Sequence, residues 1–307
     1  MIVNRNARRL GEASPLRREL LDAAARHGAR VHETRSLAEL DRVARDLAGS
    51  RPSAVVVAGG DGSAMEGLSA LFRAFPGEIP PVALAPGGTV ATIARNLGMR
   101  GPERARCRRV VRAACEGGAR TRRVPTLRVR DDAGGDRIGF IFGAGLVARF
   151  FDVYDAAPRQ GIGSAAAIAA RVLLGSITGA PLARRVLSQV ACRLEVDGEP
   201  SPARAWSLVL ASVVPHVGLG VRATYRGGEA LDRFHAVAST LPARGLAGQV
   251  PRVLTGRPMR GAHQVDALAR SLRVVFEEPG TYILDGDAQR ATEVRVEMGP
   301  VVTLLLP

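Results

Sequence analysis

The sequence predicts an α/β protein in which a Rossmann-like N-terminal domain with a parallel sheet precedes a C-terminal, mainly antiparallel β-sandwich. Up to about residue 122, short apolar strands alternate with helical patterns, which is typical of a parallel sheet with helices on both faces. After that point, most segments alternate apolar and polar residues with period two, as antiparallel strands do. A length of 307 residues with 46% hydrophobic residues is enough for two cores.

The N-terminal domain is expected to comprise residues 1–122. Its strands are apolar runs, and its helices repeat apolar residues at spacings of three and four. The predicted strands are Ile2–Val3, Ala29–Thr34, Ala54–Ala58 and Val82–Ala85, and the predicted helices are Leu16–His27, Leu37–Leu47, Met65–Phe75 and one that ends at Asn96.

The C-terminal domain is expected to comprise residues 123–307, with one helical interruption at Phe150–Ile177 and a hairpin turn at residues 131–136. A return of the last strand toward the first domain is left open. The predicted strands are Pro125–Val129, Arg137–Phe142, Ala191–Val196, Ala205–Val213, Leu272–Phe276 and Val294–Glu297.

The charge of the chain narrows the classes of function. Its 43 basic residues against 29 acidic ones give a net charge of +14, and every one of the 43 is arginine. A phosphate loop of the form GxxxxGK[ST] is therefore excluded, because that loop needs its lysine. The positive charge suits an anionic partner such as a membrane surface. With only 4% aromatic residues to stack on bases, nucleic acid is not expected as a partner.

The cysteines and the hydropathy pattern bear on localisation. Cys107, Cys115 and Cys192 match no zinc or redox spacing, and their odd number argues against a disulfide framework. The longest apolar candidate, Ile162–Ala180, contains Arg171, and we interpret it as a buried or interfacial helix. A cytoplasmic protein is expected, with peripheral contact to the anionic inner membrane and with homodimer formation left open.

A glycine-rich turn follows the apolar strand Ala54–Ala58. Glycines allow the backbone to bend and to approach a ligand closely, and the N-terminus of the following helix favours phosphate. In Gly59-Gly60-Asp61-Gly62-Ser63, the carboxylate could hold Mg²⁺ and the hydroxyl could donate a hydrogen bond. A plain tight turn with an aspartate helix cap explains the same residues.

A second glycine turn, at Gly87, Gly88 and Thr89, follows the next predicted strand. Two such turns on neighbouring parallel strands can hold one nucleotide between them. Thr89 can hydrogen-bond a phosphate or cap the following helix.

Both turns resemble motifs of the diacylglycerol kinase catalytic-domain family, whose superfamily includes sphingosine and NAD kinases. The segment from Gly59 to Glu66 resembles the family's GGDGTxNE signature, and that from Pro86 to Gly98 resembles its PLGTxNDFARxLG block. Further partial matches occur in the same order along the chain, at Val3-Asn4, at Thr34, at Gly143-Ala144-Gly145 and at Asp285-Gly286-Asp287.

The resemblance implies an enzyme of phospholipid metabolism that uses ATP and Mg²⁺ to phosphorylate a lipid hydroxyl, of a diacylglycerol or a sphingoid base. It places Thr34, Gly59, Gly60, Asp61, Gly62, Ser63, Gly87, Gly88 and Thr89 at the nucleotide. Asp287 would be the general base, with Asp285 and Asp61 as further catalytic or Mg²⁺-binding carboxylates. This chain has Met65, Ala91 and Thr92 where the family has Asn, Asn and Asp. An NAD-kinase-like enzyme and a non-catalytic nucleotide- or lipid-binding protein remain alternatives.

Overall fold

The structure is a computed structural model that describes residues 1–87, 92–99, 101–117, 119–159 and 161–307. Its chain divides into two compact units. One contains Met1–Val124 together with Val301–Pro307, and the other contains Pro125–Pro300.

The first 124 residues alternate strands with helices. The elements are β1 (Ile2–Asn4), α1 (Pro15–Arg26), β2 (His32–Thr34), α2 (Leu37–Ser50), β3 (Val55–Gly59), α3 (Asp61–Ala74), β4 (Val82–Pro86), α4 (Thr92–Asn96), α5 (Glu103–Glu116) and β5 (Arg120–Val124).

The remaining residues are mostly strands, with a group of helices in the middle. The elements are β6 (Leu127–Asp131), β7 (Asp136–Gly139), β8 (Ile141–Gly145), α6 (Leu146–Asp155), α7 (Ile162–Thr178), α8 (Pro181–Leu187), β9 (Val190–Val196), β10 (Glu199–Pro200), β11 (Ala205–Trp206), β12 (Leu208–Ser212), β13 (Phe234–Ser239), α9 (Ala243–Leu254), β14 (Val265–Ala269), β15 (Ser271–Leu284), β16 (Asp287–Met298) and β17 (Val302–Leu306).

The sheet of the N-terminal unit has the strand order β2-β1-β3-β4-β17-β5. Its strands are parallel from β2 to β17, as predicted, whereas β5 is an antiparallel edge strand. The connection through α1 leads to one side of β1, and the connection through α2 returns to its other side. The strand order thus reverses between β1 and β3, and ligands of open α/β sheets bind at such a reversal, outside the carboxyl ends of the strands.

Two local signals fix the helices around this sheet. Ser14 begins α1, because its hydroxyl accepts hydrogen bonds from the N–H groups of Leu16 and Arg17. Ser36 does the same for α2 through the N–H of Glu39. Every residue of β3 is buried, which explains its purely apolar sequence.

The C-terminal unit is built on an antiparallel sheet with the order β14-β13-β12-β8-β15-β16-β6-β7, to which β9, β10 and β11 attach beside β15. The long strand β15 pairs with β16 on one side. On its other side it pairs first with β9 and then with β8, and its register shifts between Val275 and Gly280. The predicted antiparallel character is confirmed.

The helices α6 to α9 of this unit pack together around a separate apolar core. Gly175 on α7 permits close packing, since a Cβ there would lie 3.0 Å from Ala180 and 3.1 Å from Ala183 of α8. In the described part of the chain, no single helix is long and apolar enough to cross a membrane. Only α7 and α8 taken together reach that length and hydropathy, and they are bent by 103°.

Three predicted elements are divided in the structure. The predicted strand Arg137–Phe142 is two strands, β7 and β8, and Ala205–Val213 is β11 and β12. The predicted helix Phe150–Ile177 is α6 and α7, which are separated near Pro158, a residue that cannot donate to a helix. The helix α9 was not predicted from the sequence.

Candidate functional site

The Gly59 turn connects β3 directly to α3 at the point where the strand order reverses. A Cβ on Gly59 would lie only 2.2 Å from the Cβ of Ser63, so only glycine fits there. Gly60 precedes the first residue of α3 and provides no side-chain cap. The 14-residue helix therefore directs its N-terminal dipole at this turn, an arrangement that favours an anion such as phosphate.

A hydrogen bond crosses the reversal point between β1 and α3. The side-chain amide of Asn4, at the end of β1, donates to the hydroxyl of Ser63 over 2.9 Å. The N–H of Arg5 donates to the carbonyl of Thr34, which is buried at the end of β2. Ser63 is thus tied to the last residue of β1, and Thr34 to the residue that follows it.

Asn6 adds two hydrogen bonds beside Asn4 at the carboxyl end of β1. Its N–H donates to the side-chain oxygen of Asn4 over 2.9 Å, and its own amide donates to the carbonyl of Arg35 over 2.7 Å. Neither asparagine was predicted as a site residue. The available signal is that Asn4 directly follows the buried pair Ile2-Val3, where a strand delivers a polar side chain to the carboxyl edge of the sheet.

The structure brings Gly87, the first residue of the second glycine turn, against the Gly59 turn. The N–H of Gly87 donates to the carbonyl of Gly59 over 2.6 Å. A Cβ on Gly87 would lie 2.9 Å from the side chain of Leu10, so a larger residue here would force that leucine to shift. Gly88 and Thr89, and likewise Ala91, lie outside the described residues.

The carboxylate of Asp61 links the same two segments. Its Oδ2 accepts a 2.7 Å hydrogen bond from the N–H of Thr92, the first residue of α4. Asp61 thus caps the helix that follows the second turn, while standing in the first turn of α3. A role for Asp61 in catalysis or in Mg²⁺ binding stays a prediction.

Met65, which replaces the asparagine of the family signature, is fully buried in α3. The hydroxyl of Ser69 donates to its carbonyl over 2.8 Å and lies 3.8 Å from its sulfur. Gly67 brings the helix against β3, because a Cβ there would lie 2.7 Å from the side chain of Val57. The methionine is therefore a core residue of α3.

In the C-terminal unit, Asp285 and Gly286 form the two-residue turn between β15 and β16. Their φ angles are +49° and +97°, and Leu284 pairs with Asp287 across the turn. An Asp-Gly pair is favoured in such turns because both central residues need positive φ. Asp287 stands at the first position of β16 and is half-buried.

The carboxylate of Asp285 is almost completely buried and is held by backbone amides. The N–H groups of Phe140 and Ile141 donate to its two oxygens, each over 2.9 Å. A Cβ on Gly139 would lie 2.8 Å from Oδ2, so a larger residue here would displace the carboxylate. These bonds also explain why the predicted strand Arg137–Phe142 is interrupted at Phe140.

The predicted metal ligands are Asp61 and Asp285. Across the described residues, no three or more His, Cys, Asp or Glu side chains are placed to hold a metal ion. Asp285 uses both oxygens on backbone amides, and one oxygen of Asp61 accepts the N–H of Thr92. A role for Asp61 or Asp285 as a Mg²⁺ ligand stays a prediction.

Comparisons with known proteins agree with the fold. Residues 1–122 match the model of the diacylglycerol kinase catalytic domain. A diacylglycerol kinase from Bacillus anthracis str. Sterne is similar in structure, with a TM-score of 0.65, 13% identity, and coverage of 100% of this chain and 95% of that chain. A candidate diacylglycerol kinase from the same organism gives a TM-score of 0.70, 14% identity, and coverage of 100% and 96%.

An NAD kinase from Archaeoglobus fulgidus in complex with ATP is less similar, with a TM-score of 0.48, 12% identity, and coverage of 99% and 92%. No curated protein sequence matches the chain. The N-terminal segment that contains both glycine turns is therefore similar to the diacylglycerol kinase catalytic domain, and the whole chain has the fold of the bacterial structures related to it.

Proposed function

We propose that the protein is a kinase that transfers the γ-phosphate of ATP to a hydroxyl group of a lipid, such as a diacylglycerol or a sphingoid base. The observation that carries the proposal is the Gly59 turn at the reversal of strand order, to which Gly87 and Thr92 are joined by the Gly87–Gly59 and Thr92–Asp61 hydrogen bonds. Both turns lie within the segment that matches the diacylglycerol kinase catalytic domain.

In this proposal the ATP phosphates bind at the N-terminus of α3. The backbone from Gly59 to Ser63 provides N–H donors, and the absence of a Cβ at Gly59, Gly60 and Gly62 permits close approach. Thr34, Gly87, Gly88 and Thr89 are proposed as further nucleotide contacts. Mg²⁺ is proposed to accompany the ATP phosphates, with Asp61 and Asp285 as its candidate protein ligands.

Asp287 is proposed as the general base, with Asp285 positioning it. The lipid hydroxyl oxygen forms a bond to the γ-phosphorus while the bond from that phosphorus to the bridging oxygen breaks, and ADP leaves with the electron pair. The hydroxyl proton passes to a carboxylate, a role that suits the half-buried Asp287. The carboxylate of Asp285 accepts two hydrogen bonds from backbone N–H groups, which hold the hairpin turn in place. This turn then fixes the position of Asp287 at the start of β16.

The test is a transfer assay with purified protein, labelled ATP, Mg²⁺ and a panel of lipids in mixed micelles. We expect a labelled lipid with the wild type and a large loss with Asp61→Ala, which removes the carboxylate beside the proposed phosphate site and the acceptor of the Thr92 N–H. If no lipid is labelled above the Asp61→Ala background, the lipid-kinase proposal is wrong. Phosphorylation of NAD alone would identify a soluble-substrate kinase, and nucleotide binding without turnover would identify a binding protein.

Asp287→Ala tests the base separately. We expect the turnover number to fall by about 100-fold to 10,000-fold while the KM for ATP is unchanged, since a general base contributes on that order. Asp132→Ala, which alters an exposed carboxylate of the same unit, is the matched control. Full turnover by Asp287→Ala would remove the base assignment and leave the kinase proposal standing.

A further inference from the structure

The outer face of α7 is apolar and exposed. Leu174 and Ile177 retain 67% and 64% of their accessible surface, the largest fractions among the exposed large hydrophobic side chains of the described chain. Ala167 and Ala170 are also exposed and lie on the same face, because residues three, four and seven apart align along a helix. The result is a continuous apolar stripe on the surface of the C-terminal unit.

This stripe is not needed for the core of the helical group. The opposite face of α7 supplies Ala165, Ile168 and Val172 to the buried cluster with α6, α8 and α9. Gly175 lies against α8. A helix that is apolar on both faces is normally buried on both, so the outer stripe indicates a second contact.

The charges of the helices that pack with α7 indicate what that contact is. Residues 161–189 and 241–260, which include α7, α8 and α9, contain seven arginines and no aspartate or glutamate, whereas α6 contains Arg149, Asp152 and Asp155. Arg171 and Arg244 are exposed, and Arg244 donates to the carbonyl of Ile177 at the end of the stripe. The remaining arginines are Arg184, Arg185, Arg252, Arg257 and Arg260.

From this combination we infer that the outer face of α7 docks on the surface of an anionic lipid bilayer. Leu174 and Ile177 insert among the acyl chains while Arg171 and Arg244 contact lipid phosphates, as in amphipathic helices that lie in the membrane interface. The inference deepens the proposed function, on which it rests, because a lipid kinase must reach a substrate that resides in a bilayer. Charge complementarity selects anionic lipid over a second copy of this chain, which would bring the same arginines together.

The test is co-sedimentation of the purified full chain with vesicles of phosphatidylcholine that contain 0 or about 30% phosphatidylglycerol. We expect binding that needs the anionic lipid, an affinity at least about tenfold lower for Leu174→Ser/Ile177→Ser, and a loss of about fivefold per arginine for Arg171→Gln/Arg244→Gln. The matched controls on α2 are Leu37→Ser, at a side chain that is 57% exposed, and Arg42→Gln/Arg45→Gln, and we expect both to bind as the wild type does.

The outcomes separate this inference from the proposed function. If the wild type phosphorylates lipid in mixed micelles but the α7 variants bind anionic vesicles as well as the wild type, the docking inference is wrong and the kinase proposal stands. If the variants lose vesicle binding while no lipid is ever phosphorylated, the docking surface stands and the kinase proposal fails. A concentration-dependent dimer that only the α7 substitutions abolish would overturn the inference in favour of self-association.

Discussion

Asp285 connects two turns of the C-terminal unit through one buried carboxylate. It stands in the β15–β16 turn, and its oxygens satisfy the N–H groups of Phe140 and Ile141 between β7 and β8. Its own N–H donates to the carbonyl of Ile141 over 3.0 Å. Buried backbone donors are costly to leave without acceptors, so this side chain is expected to matter for stability whatever its part in catalysis.

Asp285→Ala is expected to lower the free energy of unfolding by about 2–5 kcal/mol, because two amide donors lose their acceptors. Asp285→Asn should cost less, since it keeps one acceptor oxygen and tolerates positive φ. Urea denaturation measures both. Asp132→Ala is the control, because its exposed carboxylate also accepts a backbone N–H, that of Thr292, and should cost less than about 1 kcal/mol. Equal losses for Asp285→Ala and Asp132→Ala would contradict this role.

The three cysteines differ in reactivity. Burial raises the pKa of Cys107 and of Cys192 to about 12, whereas Cys115 is exposed, with a pKa raised by partial burial. Because the thiolate is the reactive form, a disulfide reagent at pH 8 should modify one thiol in the native protein and three after unfolding. The native reaction should disappear in Cys115→Ser, and rapid modification of two or more native thiols would disprove this ranking.

At the scale of elements, one arginine links β15 to the neighbouring strands β16 and β9. Arg273 forms ion pairs with Glu293 on β16 and with Glu195 on β9. Hydrogen bonds from Arg273 and then Arg295 lower the pKa of Glu293 from 4.5 to about 2. The stabilisation is therefore complete above about pH 5 and is lost as the pH falls toward 2, since the unfolded chain takes up the proton first.

We expect the urea midpoint of the wild type to fall more steeply between pH 5 and pH 3 than that of Glu293→Gln, which has no carboxyl group to protonate at this position. Denaturation curves at half-unit pH intervals measure the difference. Glu278→Gln, at an exposed position of β15, should retain the wild-type slope. Parallel pH profiles for the wild type and Glu293→Gln would show that this ion pair does not contribute.

The elements also show how far sequence patterns reach. The apolar run that ends at Gly59 predicted both the strand and the turn, because a buried parallel strand and a glycine bend are local features. The interruption at Phe140 depends on Asp285, 145 positions away, and no local pattern contains it. The helix α9 was missed because it includes Gly245, Gly248 and Pro251, all poor helix formers, and depends on burial of Leu246.

The same distinction applies to the candidate site. The adjacency of the Gly59 and Gly87 turns follows from strands that are consecutive in the chain and neighbours in the sheet. The Asn4–Ser63 hydrogen bond joins residues 59 positions apart, and it exists only because β1 and β3 pair. Residue types at strand ends therefore suggest a site, while the strand order decides which of them meet.

At the scale of the whole molecule, the N-terminal unit is completed by the last strand of the chain. β17 lies between β4 and β5, and its pairing with β5 extends from Val302–Val124 to Leu306–Arg120. Leu304 is buried and pairs with Val82 of β4. The phosphate-binding region proposed here thus belongs to a sheet whose residues come from both ends of the sequence.

Leu304→Ala is expected to destabilise the N-terminal unit by about 2–5 kcal/mol, the usual cost of a large-to-small change in a core. Hydrogen exchange should show faster opening of β3 and β4, while exchange in β8 and β12 changes little. Thr303→Ala, at a half-buried neighbouring position, is the control. Uniform acceleration in both units would mean that they unfold as one.

The pairing of β5 with β17 makes the C-terminal unit an insertion between two paired strands. Val124 and Val302 are direct partners in the sheet, so everything from residue 125 to residue 300 occupies the place of a hairpin loop. Such a position tolerates insertion and removal, because the strand ends are already held side by side. A chain in which a short Asn-Gly turn replaces this segment should fold on its own. ATP binding to this shortened chain would measure the proposed nucleotide site without any contribution from the residues proposed to act on the lipid.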